Sequence, residues 1–167
     1  MKLLSAAQCD QWWAIRCPEL PSQATGGGAL TAARVLRERD LPASVLYPLA
    51  QSCVSWLWTG RPDEVLIWVR EHGVWASSEN LHLYSCWRRC HGGPGELRDE
   101  PGHLLASFER EEAASLVFLG LAAGWTMSMA SPQSGRALNV DHDGKWLAYA
   151  AAPGEAARGL ATMNVAP

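Results

Sequence analysis

At 167 residues the chain fits one domain and is long enough to bury a core without metal or disulfide staples. Apolar residues at 48% and charged residues at 19% exclude a disordered or fibrous protein. A formal charge of −3 excludes the basic stripe of a general nucleic-acid binder, and no polybasic segment marks a membrane anchor.

From the amino end, Ser5 followed by Gln8 is a capping-box signature, so a helix is expected over Ala6–Ile15, ended by Pro18 and Pro21. The apolar stretch before it breaks after Leu4, short of the roughly 7–15 residues of an export signal. Gln8 also stands where a small residue would precede a lipidated Cys9, and a cytoplasmic protein is expected. Thr25–Gly28 reads as a flexible lead-in, and residues 1–28 as an N-terminal appendage to a domain spanning 29–152. Leu30, Ala33 and Leu36 recur at helical spacing, which predicts a second helix over Ala29–Arg39 closed by Pro42. A third is expected over Tyr47–Trp58, with Pro48 in its first turn and Gly60 as its cap.

Val65–Val69 is the clearest strand, and its lack of alternation implies burial on both faces. Ser77 is a suitable N-cap for a helix reaching Cys90, with Leu83, Trp87 and Cys90 in one row. Pro101-Gly102-His103 marks a turn. Glu109, Glu111 and Glu112 gather at the positive pole of the next helix, whose Ala113–Trp125 stretch is apolar nearly all round and predicts a central buried helix. Three strands follow, near Trp125–Ala130, Arg136–Val140 and Lys145–Ala150, the last two joined through Asp143-Gly144. Residues 153–167 read as a loose tail. The fold class expected is α+β: a single domain with N-terminal helices, a small, largely antiparallel sheet and a central buried helix.

Nine tryptophans beside two phenylalanines and three tyrosines suggest an indole-rich core with an indole-rich contact surface. The five cysteines (Cys9, Cys17, Cys53, Cys86, Cys90) are odd in number and scattered, as for buried free thiols. Cys86, Cys90 and His91 lack the second ligand pair that structural zinc needs, so no metal and no cofactor are expected. Asp141-His142-Asp143 reads as a solvated turn in which both aspartates point away from His142 and Asp143 satisfies its own backbone. His103 either ties a loop to backbone carbonyls or meets a partner. No nucleotide-binding, nucleophile-elbow or zinc-protease signature occurs.

Trp75-Ala76-Ser77-Ser78-Glu79-Asn80-Leu81-His82-Leu83-Tyr84, then Pro101-Gly102-His103-Leu104, then Gly124-Trp125, form an ordered pattern. Over about residues 64–146 the chain resembles a group of small bacterial cytoplasmic proteins with the pattern W-x-S-S-E-N-x-x-L-Y, P-G-H-L, G-W. Proteins of this kind are similar to immunity proteins, which neutralise a cognate toxin by direct binding. The resemblance implies no catalytic residues. The function expected is non-enzymatic binding of one protein partner, a toxin or effector, with no nucleic acid and no membrane. Trp12, Trp13, Trp75, His103, Glu109, Glu111, Glu112, Asp141 and Asp143 are the candidate contact residues. Two alternatives stand beside it: a small cysteine-dependent hydrolase or transferase using Cys86 or Cys90, and a structural component of a phage or secretion assembly.

Overall fold

The elements of the computed structural model run β1 (Lys2–Leu4), α1 (Ala6–Arg16), β2 (Thr31–Val35), α2 (Ala43–Leu57), β3 (Glu64–Glu71), α3 (Ser78–Cys90), β4 (Gly102–Ala106), α4 (Arg110–Ala123), β5 (Thr126–Ser131), β6 (Arg136–Val140), β7 (Lys145–Ala150) and α5 (Glu155–Thr162). Residues 1–20, 31–36, 41–59, 64–71, 78–93 and 99–163 are described. Expectations at Thr25–Gly28, Gly60, Trp75 and Ser77 lie outside them. The strands form one sheet in the order β1-β4-β3-β5-β6-β7-β2, and every neighbouring pair is antiparallel. The protein is an α+β single domain.

Strand β3 explains the architecture. Its residues alternate sides like those of any strand, yet Val65 to Val69 are all buried. Val65, Ile67 and Val69 join the main core with α2 and α4, while Leu66 and Trp68 join a second core beneath α1. An antiparallel sheet often leaves one face to water. Here both faces of its central strands are covered, and the expected loss of alternation is observed. The neighbouring strands repeat the division: Met127, Met129, Leu138, Val140, Trp146 and Ala148 face the main core, and Ala130, Ala137, Leu147 and Tyr149 the second.

Local signals start and stop the helices. The capping box at Ser5 and Gln8 is formed, and α1 buries Cys9 and Trp13 against the second core. Helix α4 ends at Gly124, whose φ of 64° is left-handed, and the Trp125 N–H returns 2.8 Å to the Gly120 carbonyl. Gly120 also lets Met127 of β5 approach, because a Cβ there would overlap the Met127 thioether.

Several expectations are corrected. The segment predicted as a helix over Ala29–Arg39 contains strand β2. Pairing with β7 from Thr31↔Tyr149 to Val35↔Lys145 overrides a weak helical preference. Burial there has period two, with Ala32, Arg34 and Leu36 half-buried and Ala33 and Val35 exposed. Helix α2 begins at Ala43, behind Pro42 as its N-cap, so Pro48 lies inside the helix and not in its first turn. Pro48 is exposed, as is Ser44, the residue whose carbonyl would have received the missing N–H. Gly102-His103 opens strand β4 in place of the expected turn. On α3, Tyr84 and Arg88 are buried, Trp87 is half-buried against the main core, and Cys90, expected in the same row, is exposed.

The expected loose tail contains a docked helix, α5. Arg136 donates to the Trp56 carbonyl and pairs with Glu155 at the start of α5. At its other end the Arg34 guanidinium donates to the carbonyls of Leu160 (3.1 Å) and Met163 (3.2 Å), a cation placed at the negative pole. Between these clamps a Cβ on Gly159 would overlap the Trp56 indole, so the helix can sit against that ring only because the residue is glycine. Gly159→Val is therefore expected to cost about 1–3 kcal/mol in urea unfolding, the usual penalty for overpacking. If the segment were an undocked helix, the same change would leave stability equal or slightly higher, since valine favours helix over glycine.

Candidate functional site

The turn between β4 and α4 presents the most exposed large apolar side chain among the described residues. Phe108 is 85% exposed. Its turn is closed twice, by the Glu109 N–H on the Ala106 carbonyl (2.9 Å) and by the Ala106 N–H on Glu109 Oε2 (2.9 Å). Glu109 also accepts from the N-terminal ammonium of Met1, which joins the turn to β1. Burial opposes ionisation of Glu109, but the ammonium and the Ala106 N–H outweigh it and hold the carboxyl below its usual range. One helical turn on, exposed Glu111 accepts from the Tyr47 hydroxyl (3.0 Å), and Glu112 is half-buried. Tyr47 in turn packs edge-on against Phe118, with ring centroids 5.9 Å apart. An exposed phenyl ring on a closed turn thus precedes two carboxylates at the start of α4.

The structure brings only some of the expected contact residues together. Glu111 and Glu112 lie on the surface beside Phe108, whereas Glu109 is buried within the turn and works as a structural anchor. Trp13 is buried, donating to the Leu20 carbonyl at 2.7 Å, and Trp12 is half-buried, donating to Glu64 Oε1 at 3.1 Å. Trp56, Trp58, Trp68, Trp125 and Trp146 are buried and Trp87 is half-buried. Among the described residues no indole is exposed, so Trp12 and Trp13 offer no indole-rich contact surface; Trp75 lies outside those residues.

His103 is fully buried and cannot meet a partner. Its Nδ1 lies 3.2 Å from the Ile67 carbonyl and its Nε2 bonds the Tyr84 hydroxyl. Since a carbonyl only accepts, Nδ1 donates to Ile67, and the ring, carried on β4, links the β3 main chain to the Tyr84 hydroxyl on α3. Burial accordingly pushes the Tyr84 phenol well above its usual range.

Asp141, not Asp143, satisfies the β6–β7 turn: its Oδ1 accepts from the N–H groups of Asp143 and Lys145, both at 2.9 Å. Asp143 is exposed, and its carboxylate lies 3.7 Å from His142 Nε2, so it does not point away from that ring. The turn folds the two residues onto one side, which an extended segment would not.

The thiols divide by position. Cys9, Cys17 and Cys53 are buried, and burial pushes the Cys9 thiol up to about 12. Cys86 and Cys90, also expected to be buried, are exposed on α3, with Cys86 Sγ 3.7 Å from His82 Nε2 one turn earlier.

A second feature was not singled out from the sequence. A cavity of about 370 Å³ opens where β3, β5, β6 and β7 meet at one end of the sheet. Arg70, Glu71, Ser128, Asn139, Asp141 and Lys145 line it. The pairing of β3 with β5 slips between Val69 and Glu71, so Arg70 occupies a bulge, the device that re-aims a side chain within a ladder. Its guanidinium lies 3.5 Å over the Trp68 ring, and its Nε donates to Ser128 Oγ at 3.1 Å. The signal for this site was Asn139 itself, a polar residue between Leu138 and Val140 in a buried strand.

The Glu109 carboxylate yields a pH dependence. A carboxyl held below its ordinary value of 4.5 contributes stability that is present above that pH and disappears as pH falls through the lowered folded value. Glu109→Gln is therefore expected to cost about 1.5–3 kcal/mol at neutral pH, the range for hydrogen bonds to charged groups, with the difference from wild type closing below about pH 4.5. Urea unfolding measured from pH 7 to pH 3 checks it, and a difference independent of pH would refute the ionic role.

Among the described residues no helix is long and apolar enough to cross a membrane. Compared with protein-family models, with curated proteins and with solved structures, the chain finds no match.

Proposed function

We propose that this protein is a non-enzymatic binder of one protein partner, and that it docks through Phe108 with Glu111 and Glu112. The observation that carries the reading is Phe108, 85% exposed on a turn closed by two hydrogen bonds. A large aromatic carried on a backbone already ordered before binding spares the cost of ordering the turn, and such anchors dominate interface energies. The flanking carboxylates select a basic partner surface and speed encounter with it. Binding to the basic active site of a toxin nuclease fits this chemistry, and it accords with the resemblance to immunity proteins on the Trp75–Tyr84, Pro101–Leu104 and Gly124-Trp125 residues. Trp12 and Trp13, named in the sequence reading, give up the anchoring role to Phe108.

The test is comparative. A tagged chain expressed in its native host should capture a basic protein. Phe108→Ala should weaken that complex by at least about 30-fold, the effect of losing a 2 kcal/mol hot spot, while leaving the thermal midpoint unchanged. Glu111→Lys with Glu112→Lys should slow association and reduce its salt dependence. A partner whose affinity is indifferent to both variants, or repeated recovery of none, would refute the proposal.

A further inference from the structure

Two of the five thiols are exposed, against the strong preference of cysteine for the interior. Both lie on α3, where Tyr84 and Arg88 take the buried face and leave His82, Cys86 and Cys90 as an exposed row at four-residue spacing. Residues four apart on a helix are neighbours on its surface. In this row His82 Nε2 lies 3.7 Å from Cys86 Sγ.

An imidazole nitrogen and a sulfur at that separation fit two corners of a metal tetrahedron. Bonds of about 2.0–2.1 Å from zinc to nitrogen and about 2.3 Å to sulfur put such corners roughly 3.6 Å apart. Two ligating side chains four residues apart on one helix face grip an ion well, because the backbone sets their separation before the ion arrives. Among the described residues no third histidine, cysteine or carboxylate completes the pair. The missing second pair therefore excludes a closed structural site, whereas an ion held at two corners keeps its other positions for solvent.

We infer that His82 and Cys86 form a surface site for a thiophilic divalent ion of the zinc and cadmium class. Thiolate and imidazole donors select such ions over magnesium and calcium, which take oxygen ligands. On binding, the Cys86 thiol releases its proton to solvent and its sulfur bonds the ion. The His82 ring keeps its proton on Nδ1 and bonds through Nε2. Cys90, exposed one turn beyond, provides an internal reference for the assignment.

Cadmium is the probe, because its bond to a thiolate gives an ultraviolet absorption band. Titrating the reduced full-length protein with micromolar Cd2+ at neutral pH should raise that band saturably, with one proton released per ion. Cys9, Cys17 and Cys53 are buried, so the band reports the exposed thiols. The ion should also slow alkylation of Cys86 by iodoacetamide, read by peptide mass, while Cys90 labels as before. Zn2+ should displace Cd2+, and millimolar Mg2+ should not. Cys86→Ser should abolish the band. His82→Ala should weaken binding by at least about tenfold, since loss of a mere outer-shell partner already costs that much. Both side chains are exposed, so neither change should move the metal-free thermal midpoint. No band at micromolar Cd2+, protection of Cys90 in place of Cys86, unchanged affinity in His82→Ala, or displacement by magnesium would each overturn the site. These readouts do not depend on whether Phe108 engages a protein.

Discussion

Covering both faces of the central strands is the constraint from which this structure follows. A seven-stranded antiparallel sheet exposes two broad surfaces, and here the middle strands carry apolar residues on each. The helices α2 and α4 close one side over Val65, Ile67 and Val69, and α1 closes the other over Leu66 and Trp68. Bulky indoles suit this task, because each ring fills the space between a strand and a helix with a single rigid plate. Their N–H groups are placed accordingly: Trp13 and Trp12 find Leu20 and Glu64 at the margin of the second core. The abundance of tryptophan is thus a packing solution for a two-sided sheet.

Three arginines then hold the layers in register. Arg34 and Arg136 fix the ends of α5, and Arg110 donates to the Trp58 carbonyl at the close of α2. Each bonds at least one main-chain carbonyl at a helix end, where orphan acceptors concentrate. Glu109 plays the matching acidic part, joining the chain's amino group to the β4–α4 turn. Because these charges are committed to the framework, the remaining acidic surface after Phe108 stands out as the place where an exposed apolar group and surface carboxylates coincide.

Local rules were readable where the chemistry is local. The Ser5–Gln8 capping box, the buried helix beginning after Glu109 and the three C-terminal strands were all visible in the residues themselves. Readings failed where distant contacts decide. Nothing within Ala29–Arg39 announces that β7 will offer an edge, although the half-buried alternation of Ala32, Arg34 and Leu36 is a trace of it. Nor could α5 be inferred without knowing that Gly159 meets Trp56. Tryptophan misled for a related reason: side-chain type gives its affinity for apolar surroundings but not which surface it will find. Phe108, one of only two phenylalanines and set directly before an acidic run, was the overlooked signal.

In the proposed binding mode the β4–α4 turn, and not an indole face, grips another protein. Hydrogen–deuterium exchange of the chain alone and in complex with its captured partner tests this most directly. The account requires new protection concentrated over residues 106–112, with the amides around Trp12 and Trp13 unchanged. Protection confined to α1, or spread without any at the turn, would contradict it.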